Sequence, residues 1–242
     1  MAAPSPRVLA LLSLLLGLST ACSGDLEPDG AERFDLLFTF DSSTQGWSGG
    51  FTDLAPSQVN DVGFQFEHRE LPAETGVLGG ALFVSGRNVS DDLFMFAAHP
   101  VTGLRPETSY TLTFELELAS NAPSGCVGVG GAPGESVYLK AGAAVQQPDR
   151  APSASGNLIL NLDKGEQSAG GANAQMVGDI ANGTTDCNAP VYRLITRDNR
   201  ANPLRITSDS QGALWLLVGT DSGFESTTSL YYDTIRVILE AS

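Results

Sequence analysis

The stretch Tyr110-Thr-Leu-Thr-Phe-Glu-Leu-Glu-Leu118 places every second side chain on one apolar face. Tyr110, Leu112, Phe114, Leu116 and Leu118 fall on one side, and Thr111, Thr113, Glu115 and Glu117 on the other. A period of two sustained this long fits a half-buried strand and not a helix. Shorter runs of the same kind lie at 34–40, 64–67, 81–84, 93–97, 136–139, 158–162, 191–196, 204–207, 214–218 and 231–239. Clusters of Gly, Pro, Asn and Asp separate them. No stretch combines a helical period with caps. Many short strands divided by turns predict an all-β chain, a sandwich or a barrel. Two long segments break the pattern. Ala141–Gly156 is rich in Pro, Ala and Gln, and Asp163–Asn188 in Gly, Ala, Ser and Asn. Long irregular loops either carry function or are loosely ordered.

Composition removes several functions. The 242 residues carry a formal charge of −15, so a nucleic-acid backbone would be repelled. The hydrophobic share of 42% is too high for an acidic disordered chain. Two His and three Cys leave little for a zinc or iron–sulfur site. The length suits one domain with an ample core.

The N-terminus reads as an address. Arg7 precedes an apolar run from Val8 to Leu18, then Ser19, Thr20, Ala21 and Cys22. A basic start, a short apolar run and small residues form a secretion signal over residues 1–21. The run is short for a bilayer span. Small residues directly before a lone Cys resemble the lipobox of bacterial lipoproteins, with the expected Leu displaced by one place to Leu18. The resemblance implies export, diacylation of Cys22 and a firm lipid anchor. Ser23 after the Cys fits sorting to the outer membrane in that family; ordinary cleavage near Ala21 would leave a periplasmic or extracellular protein. Residues 22–33 then hold the lipidated Cys and a polar tether, and 34–242 a single β-sandwich domain.

Three segments point to a known fold. The first is Phe38-Thr-Phe-Asp41 with Gln45-Gly46-Trp47. The second runs from Gly80-Ala-Leu-Phe-Val-Ser-Gly86 through Asp91, Asp92 and Leu93–Phe96 to Val101-Thr-Gly-Leu-Arg-Pro106 and Tyr110–Phe114. The third is Leu230-Tyr-Tyr-Asp-Thr-Ile-Arg-Val-Ile-Leu239. In this order and spacing they resemble the galactose-binding-like jelly roll of many carbohydrate-binding modules. The resemblance implies a jelly-roll β-sandwich of two antiparallel sheets, here with long Gly-rich loops, and carbohydrate as the leading ligand class. The segment from Cys126 to Asn188 is longer and richer in Gly than such modules usually carry.

Alternation through the last strand puts Tyr231, Asp233, Ile235, Val237 and Leu239 on one apolar face, so Asp233 is expected to head for the core. A buried carboxylate must be paired or bind metal. In the resembling family an acid after the first strand and the Asp of the last strand often hold a structural calcium; the matching positions are Asp41 and Asp233. Calcium takes six to eight oxygens, so loop carbonyls would complete the shell. The alternative is a carboxylate that caps turn amides or pairs with Arg236 or Arg33.

Glu115 and Glu117, with Thr111 and Thr113, form an outward row that suits either a sugar or a solvated face. Their spacing of about 7 Å by strand geometry lies in the range of inverting glycosidase pairs, but such pairs face each other across a cleft. Trp47 follows a Gly in a turn, and Tyr138 flanks the Gly-rich string 125–140; both are candidate sugar platforms. Tyr192 and Tyr232 stay open, while Trp215 reads as core. The string 125–140 is either a binding loop or a glycine corner, with Lys140 and Glu135 as a flanking pair. Nothing positions His68 or His99 in a Ser-His-Asp arrangement. If Cys22 carries lipid, Cys126 and Cys187 remain as a pair in an oxidising compartment, and a disulfide is expected.

The sequence thus predicts an exported, lipid-anchored, non-catalytic binding domain for carbohydrate, membrane-bound through its lipid only. One alternative is a structural or protein-interaction lipoprotein of the cell envelope. Another is a hydrolase with its site in the long loops.

Overall fold

The structure is a computed structural model that describes residues 32–242; the expected secretion signal over 1–21 and the expected lipidation at Cys22 lie outside the described residues. Fourteen strands account for nearly all of its regular structure. They are β1 (Arg33–Phe38), β2 (Ser48–Thr52), β3 (Gln65–Glu70), β4 (Gly80–Arg87), β5 (Leu93–Val101), β6 (Ser109–Ser120) and β7 (Val137–Ala144). The chain continues with β8 (Arg150–Pro152), β9 (Leu158–Leu160), β10 (Ala174–Asp179), β11 (Arg193–Asp198), β12 (Leu204–Thr207), β13 (Leu214–Ser222) and β14 (Thr227–Ala241).

The fold is a jelly-roll β-sandwich of two antiparallel sheets. The seven-stranded sheet runs β11-β6-β14-β4-β3, with β12 also on β6 and β1 on β14. The five-stranded sheet runs β10-β7-β13-β5-β2. The alternation of β6 is realised in full: Tyr110, Leu112, Phe114, Leu116 and Leu118 are all completely buried. They meet Val137, Leu139, Leu214, Leu216 and Val218 of the facing sheet in one core. Burying a Leu or Phe side chain contributes about 1.5–3 kcal/mol, so the repeated inward rows dominate the stability of the sandwich.

Three strands escaped the sequence pattern. β2 reads Ser-Gly-Gly-Phe-Thr, with little apolar signal. Its glycines are demanded by packing: a Cβ on Gly49 would lie 2.1 Å from the ring of Phe66, and one on Gly50 2.5 Å from that of Phe96. β8 is three residues ending in Pro. β10 lies inside the segment expected to be loop and pairs with β7 through a bulge at Met176/Gly178. The expected loop at 141 also begins later, because β7 runs to Ala144.

The bulge in β14 overturns one expectation. Register shifts between Tyr232 and Thr234, leaving Asp233 as the extra residue. Ile235, Val237 and Leu239 face the core as expected, but before the bulge the inward residues are Leu230 and Tyr232. Tyr231 is therefore outside, and Asp233 sits half-buried at the kink.

The outer face of the five-stranded sheet is not open. Phe94, Phe96, Ala98 and Leu217 point outward yet are buried under Leu160 and Leu162. The chain from 145 to 173 lies across this face, carrying the β8–β9 hairpin, which Leu54 joins through a bridge to Leu158.

Cys126 and Cys187 form the expected disulfide. It ties the glycine corner after β6 to the segment before β11, where Ser124 N also donates to Thr184 O at 2.7 Å.

Candidate functional site

With one sheet face covered, the other carries the exposed candidates. β6 projects Glu115 and Glu117 outward. In register, Glu115 sits between Arg236 and Asp198, and Glu117 between Thr234 and Thr196. Together with Asp35 and Leu37 of β1 they line an open depression of about 520 Å³. Leu37 is 58% exposed, an apolar patch at the rim of a polar floor.

The floor is electrostatically ordered. Arg236 grips Asp35 with both arms of its fork, Nε to Oδ1 at 2.8 Å and Nη2 to Oδ2 at 2.6 Å. The Arg236 bond holds the Asp35 carboxyl below its ordinary value. Glu115 pairs with Arg200 and has Arg236 Nη1 at 3.8 Å. Glu117 instead lies in register between two threonines and acts on Asp233. Burial, then the charges of Glu117 and Asp41, push the Asp233 carboxyl up from its ordinary value. Glu115 and Glu117 stand side by side on one strand, and Glu115 is occupied by cations.

Two residues farther along β6 the same face turns aromatic. Tyr231 lies opposite Ala119 and packs on Phe83 at 4.7 Å between ring centroids. Tyr192 meets Tyr231 edge-on at 5.3 Å. Arg69 stacks over Phe83 at 3.8 Å. Tyr231 was missed in the sequence because alternation, read straight through Asp233, sends it inward. Two adjacent tyrosines carry no signal of which one is buried.

The remaining candidates disperse. Trp47 is not a platform: it is 3% exposed, stacked on His99 at 5.4 Å and set edge-on to Phe38 at 5.2 Å. The turn that seemed to expose it ends at Gly46, and the next residue already enters the core. Tyr138 projects from β7 on the opposite sheet, in register with Asp221 and Asp179, so it shares no site with Glu115 and Glu117. Tyr232 is buried. His99 lies within β5, and burial holds its imidazole below its ordinary value. Neither His68 Nε2 nor His99 Nδ1 has a hydrogen-bond partner, so no serine is activated by either atom. Lys140 does not pair with Glu135, which instead accepts from Gly125 N at 2.8 Å.

Asp41 is exposed and accepts from Thr39 Oγ1 at 2.7 Å. It lies within electrostatic reach of Asp233. Among the described residues, no three His, Cys, Asp or Glu side chains gather closely enough to hold a metal ion. The donor set therefore falls short of a calcium shell unless backbone carbonyls supply most of it.

No family model matches this chain, and no curated protein does. Among solved structures, it is similar to the CBM22-1 xylan-binding domain of Xyn10C from Paenibacillus barcinonensis. That match has a TM-score of 0.41 at 10% identity, covering 89% of this chain and 99% of that one. It is also similar to the mannan-recognising carbohydrate-binding module TmCBM27, with a TM-score of 0.35 at 12% identity, covering 86% and 98%. A third is the K1 cleaved adhesin domain of Lys-gingipain from Porphyromonas gingivalis W83, with a TM-score of 0.36 at 12% identity, covering 86% and 99%.

Proposed function

We propose that this chain is an exported, lipid-anchored, non-catalytic binding protein whose ligand is a neutral carbohydrate laid on the outer face of the seven-stranded sheet. One observation carries the reading: the depression lined by Glu115, Glu117, Thr196, Thr234 and Leu37, with the Tyr231–Tyr192 pair two residues farther along β6 on the same face. Carboxylates and hydroxyls accept and donate to sugar hydroxyls, and apolar or aromatic rims cover the CH-rich side of a ring. Arg236 and Arg200 are already paired with Asp35 and Glu115. The charge left over is negative, which favours a neutral glycan over an acidic one. Export and the anchor at Cys22 rest on the N-terminal pattern; the Cys126–Cys187 disulfide is compatible with an oxidising compartment.

The test is calorimetric titration of the purified protein with a panel of soluble neutral and acidic polysaccharides. A neutral glycan should bind, and Glu117→Ala should weaken it about tenfold, the loss of one hydrogen bond to a charged group. Binding that survives Glu117→Ala unchanged would remove this face as the site. Silence across the panel would favour the protein-interaction alternative. For the anchor, intact mass of the membrane-extracted protein should show a diacylglyceryl group on Cys22, and Cys22→Ser should release the protein into the soluble fraction.

Calcium at Asp41 and Asp233 enters as a proposal that thermal melting decides. Millimolar calcium should raise the melting temperature and a chelator lower it. An identical melt in both, with no metal by elemental analysis, removes calcium from the reading.

A further inference from the structure

The covered face of the five-stranded sheet hides a charge cluster that the proposed glycan site does not use. Lys140 on β7 and Asp221 on β13 are completely buried, although both point away from the sandwich core. Lys140 Nζ donates to the carbonyls of Lys164, at 3.1 Å, and Ala169, and lies 3.7 Å from Asp221 Oδ2. That shell is made only of acceptors, which suits an ammonium, and the Asp221 charge favours it, while burial pulls the Lys140 amine below its ordinary value. Lys164 Nζ contacts Asp221 Oδ2 at 2.7 Å and Asp53 Oδ2 at 3.1 Å. Gln167 N donates to the same Asp221 oxygen at 2.9 Å. Asp163 closes the segment on itself by accepting from Gly165 N and Ala172 N. Residues 163–173 thus form a strap stitched to the sheet by two lysines and one aspartate.

The charges do not balance as ionised groups. Asp53, Asp92 and Asp221 face two ammonium ions. Two carboxylate oxygens, Asp92 Oδ1 and Asp221 Oδ1, are buried with no hydrogen-bond donor. A buried acceptor without a donor is costly, and a buried net charge more so. One proton removes both faults at once.

We infer that Asp92 keeps a proton at neutral pH, directed at the buried Asp221 carboxylate, and that this proton latches the 163–173 strap onto the five-stranded sheet.

The proton sits as an O–H on Asp92 that donates to Asp221; on ionisation it leaves to water. Depressions of about 340 and 380 Å³, both lined by Asp53, Asp92 and Ile159, give it a path. The groups facing Asp92 are Asp221 of β13, Lys164, Asp163 and Glu166 of the strap, Asp53 beyond β2, and Lys140 of β7. Burial, then the Asp221 charge, push the Asp92 carboxyl up to about 7 against the pull of Lys164. Burial also raises Asp53. The sign follows from linkage: the closed strap holds a proton that an open one releases at an ordinary carboxylate value. Closure is strongest below that value and weakens as pH rises through about 7, by up to tenfold per pH unit, then levels off.

The test uses the intact protein. Carbon-detected NMR should show the Asp92 carboxyl titrating with a midpoint near 7. Amide exchange of Gln167, corrected for intrinsic rate, should lose at least tenfold of its protection between pH 5.5 and 8.5. In Asp92→Asn a permanent N–H donor replaces the proton, and the protection should become independent of pH. A midpoint below 5, or protection of the strap in the unsubstituted protein that does not change over this range, overturns the inference whether or not the variant folds.

Discussion

Asp221→Ala is expected to destabilise the protein by about 3–5 kcal/mol, the cost of stranding buried charge. Asp221 is completely buried, and its Oδ2 is met by Lys164 Nζ, Gln167 N and, farther off, Lys140 Nζ. Removing it leaves Lys140 and Lys164 under the strap with carbonyls, Asp53 and Asp92. The double replacement Lys140→Met with Asp221→Leu should cost far less, because an apolar pair needs no partner and the neighbours Phe94 and Leu217 are apolar. Urea melts of the single and double variants decide this. A single variant within 1 kcal/mol of the parent would show that the cluster does not hold the strap. A double variant as damaged as the single would show that packing, not charge, was lost.

Breaking the Cys126–Cys187 bond should cost about 4 kcal/mol in the chain-entropy model, since it closes a loop with a sequence separation of 61. For a domain of this size that corresponds to a drop of about 10 °C in melting temperature. The bond secures a segment with little apolar anchorage: the corner beyond Cys126 leaves Val127 97% exposed, and Cys187 is itself exposed. Scanning calorimetry of Cys126→Ala/Cys187→Ala checks it. A drop of less than 2 °C would mean that the Ser124–Thr184 and Asn182 bonds already hold these loops together. The proposed glycan face lies farther along β6 and β11, away from the disulfide, and should keep its affinity at temperatures where the variant is folded.

Much of the architecture could be read from single strands. β6 and the second half of β14 alternate strictly enough that burial direction followed from residue type. β2 and β10 could not be read this way. The first spends its positions on glycines that make room for Phe66 and Phe96, and the second borrows its stability from β7 rather than from its own composition. The candidate site was half visible. Glu115 and Glu117 were recognisable as an outward row. Their separation into a cation-paired glutamate and a threonine-flanked one depended on β14 and β11 arriving at either side.

By itself the sequence determined that the chain is all-β, which faces of the long strands are apolar, and which two cysteines were available to pair. These are consequences of local periodicity and of counting, and both are properties of a linear string. Only the tertiary structure decided that Trp47 is core, that Tyr231 and not Tyr232 is outside, and that one sheet face is sealed by its own loop. It alone brought Lys140, Lys164 and Asp221 together from three separate segments. The physical reason is register. A bulge of one residue inverts every side chain beyond it, and the partner of a buried charge is chosen by strands that meet only when the sandwich closes.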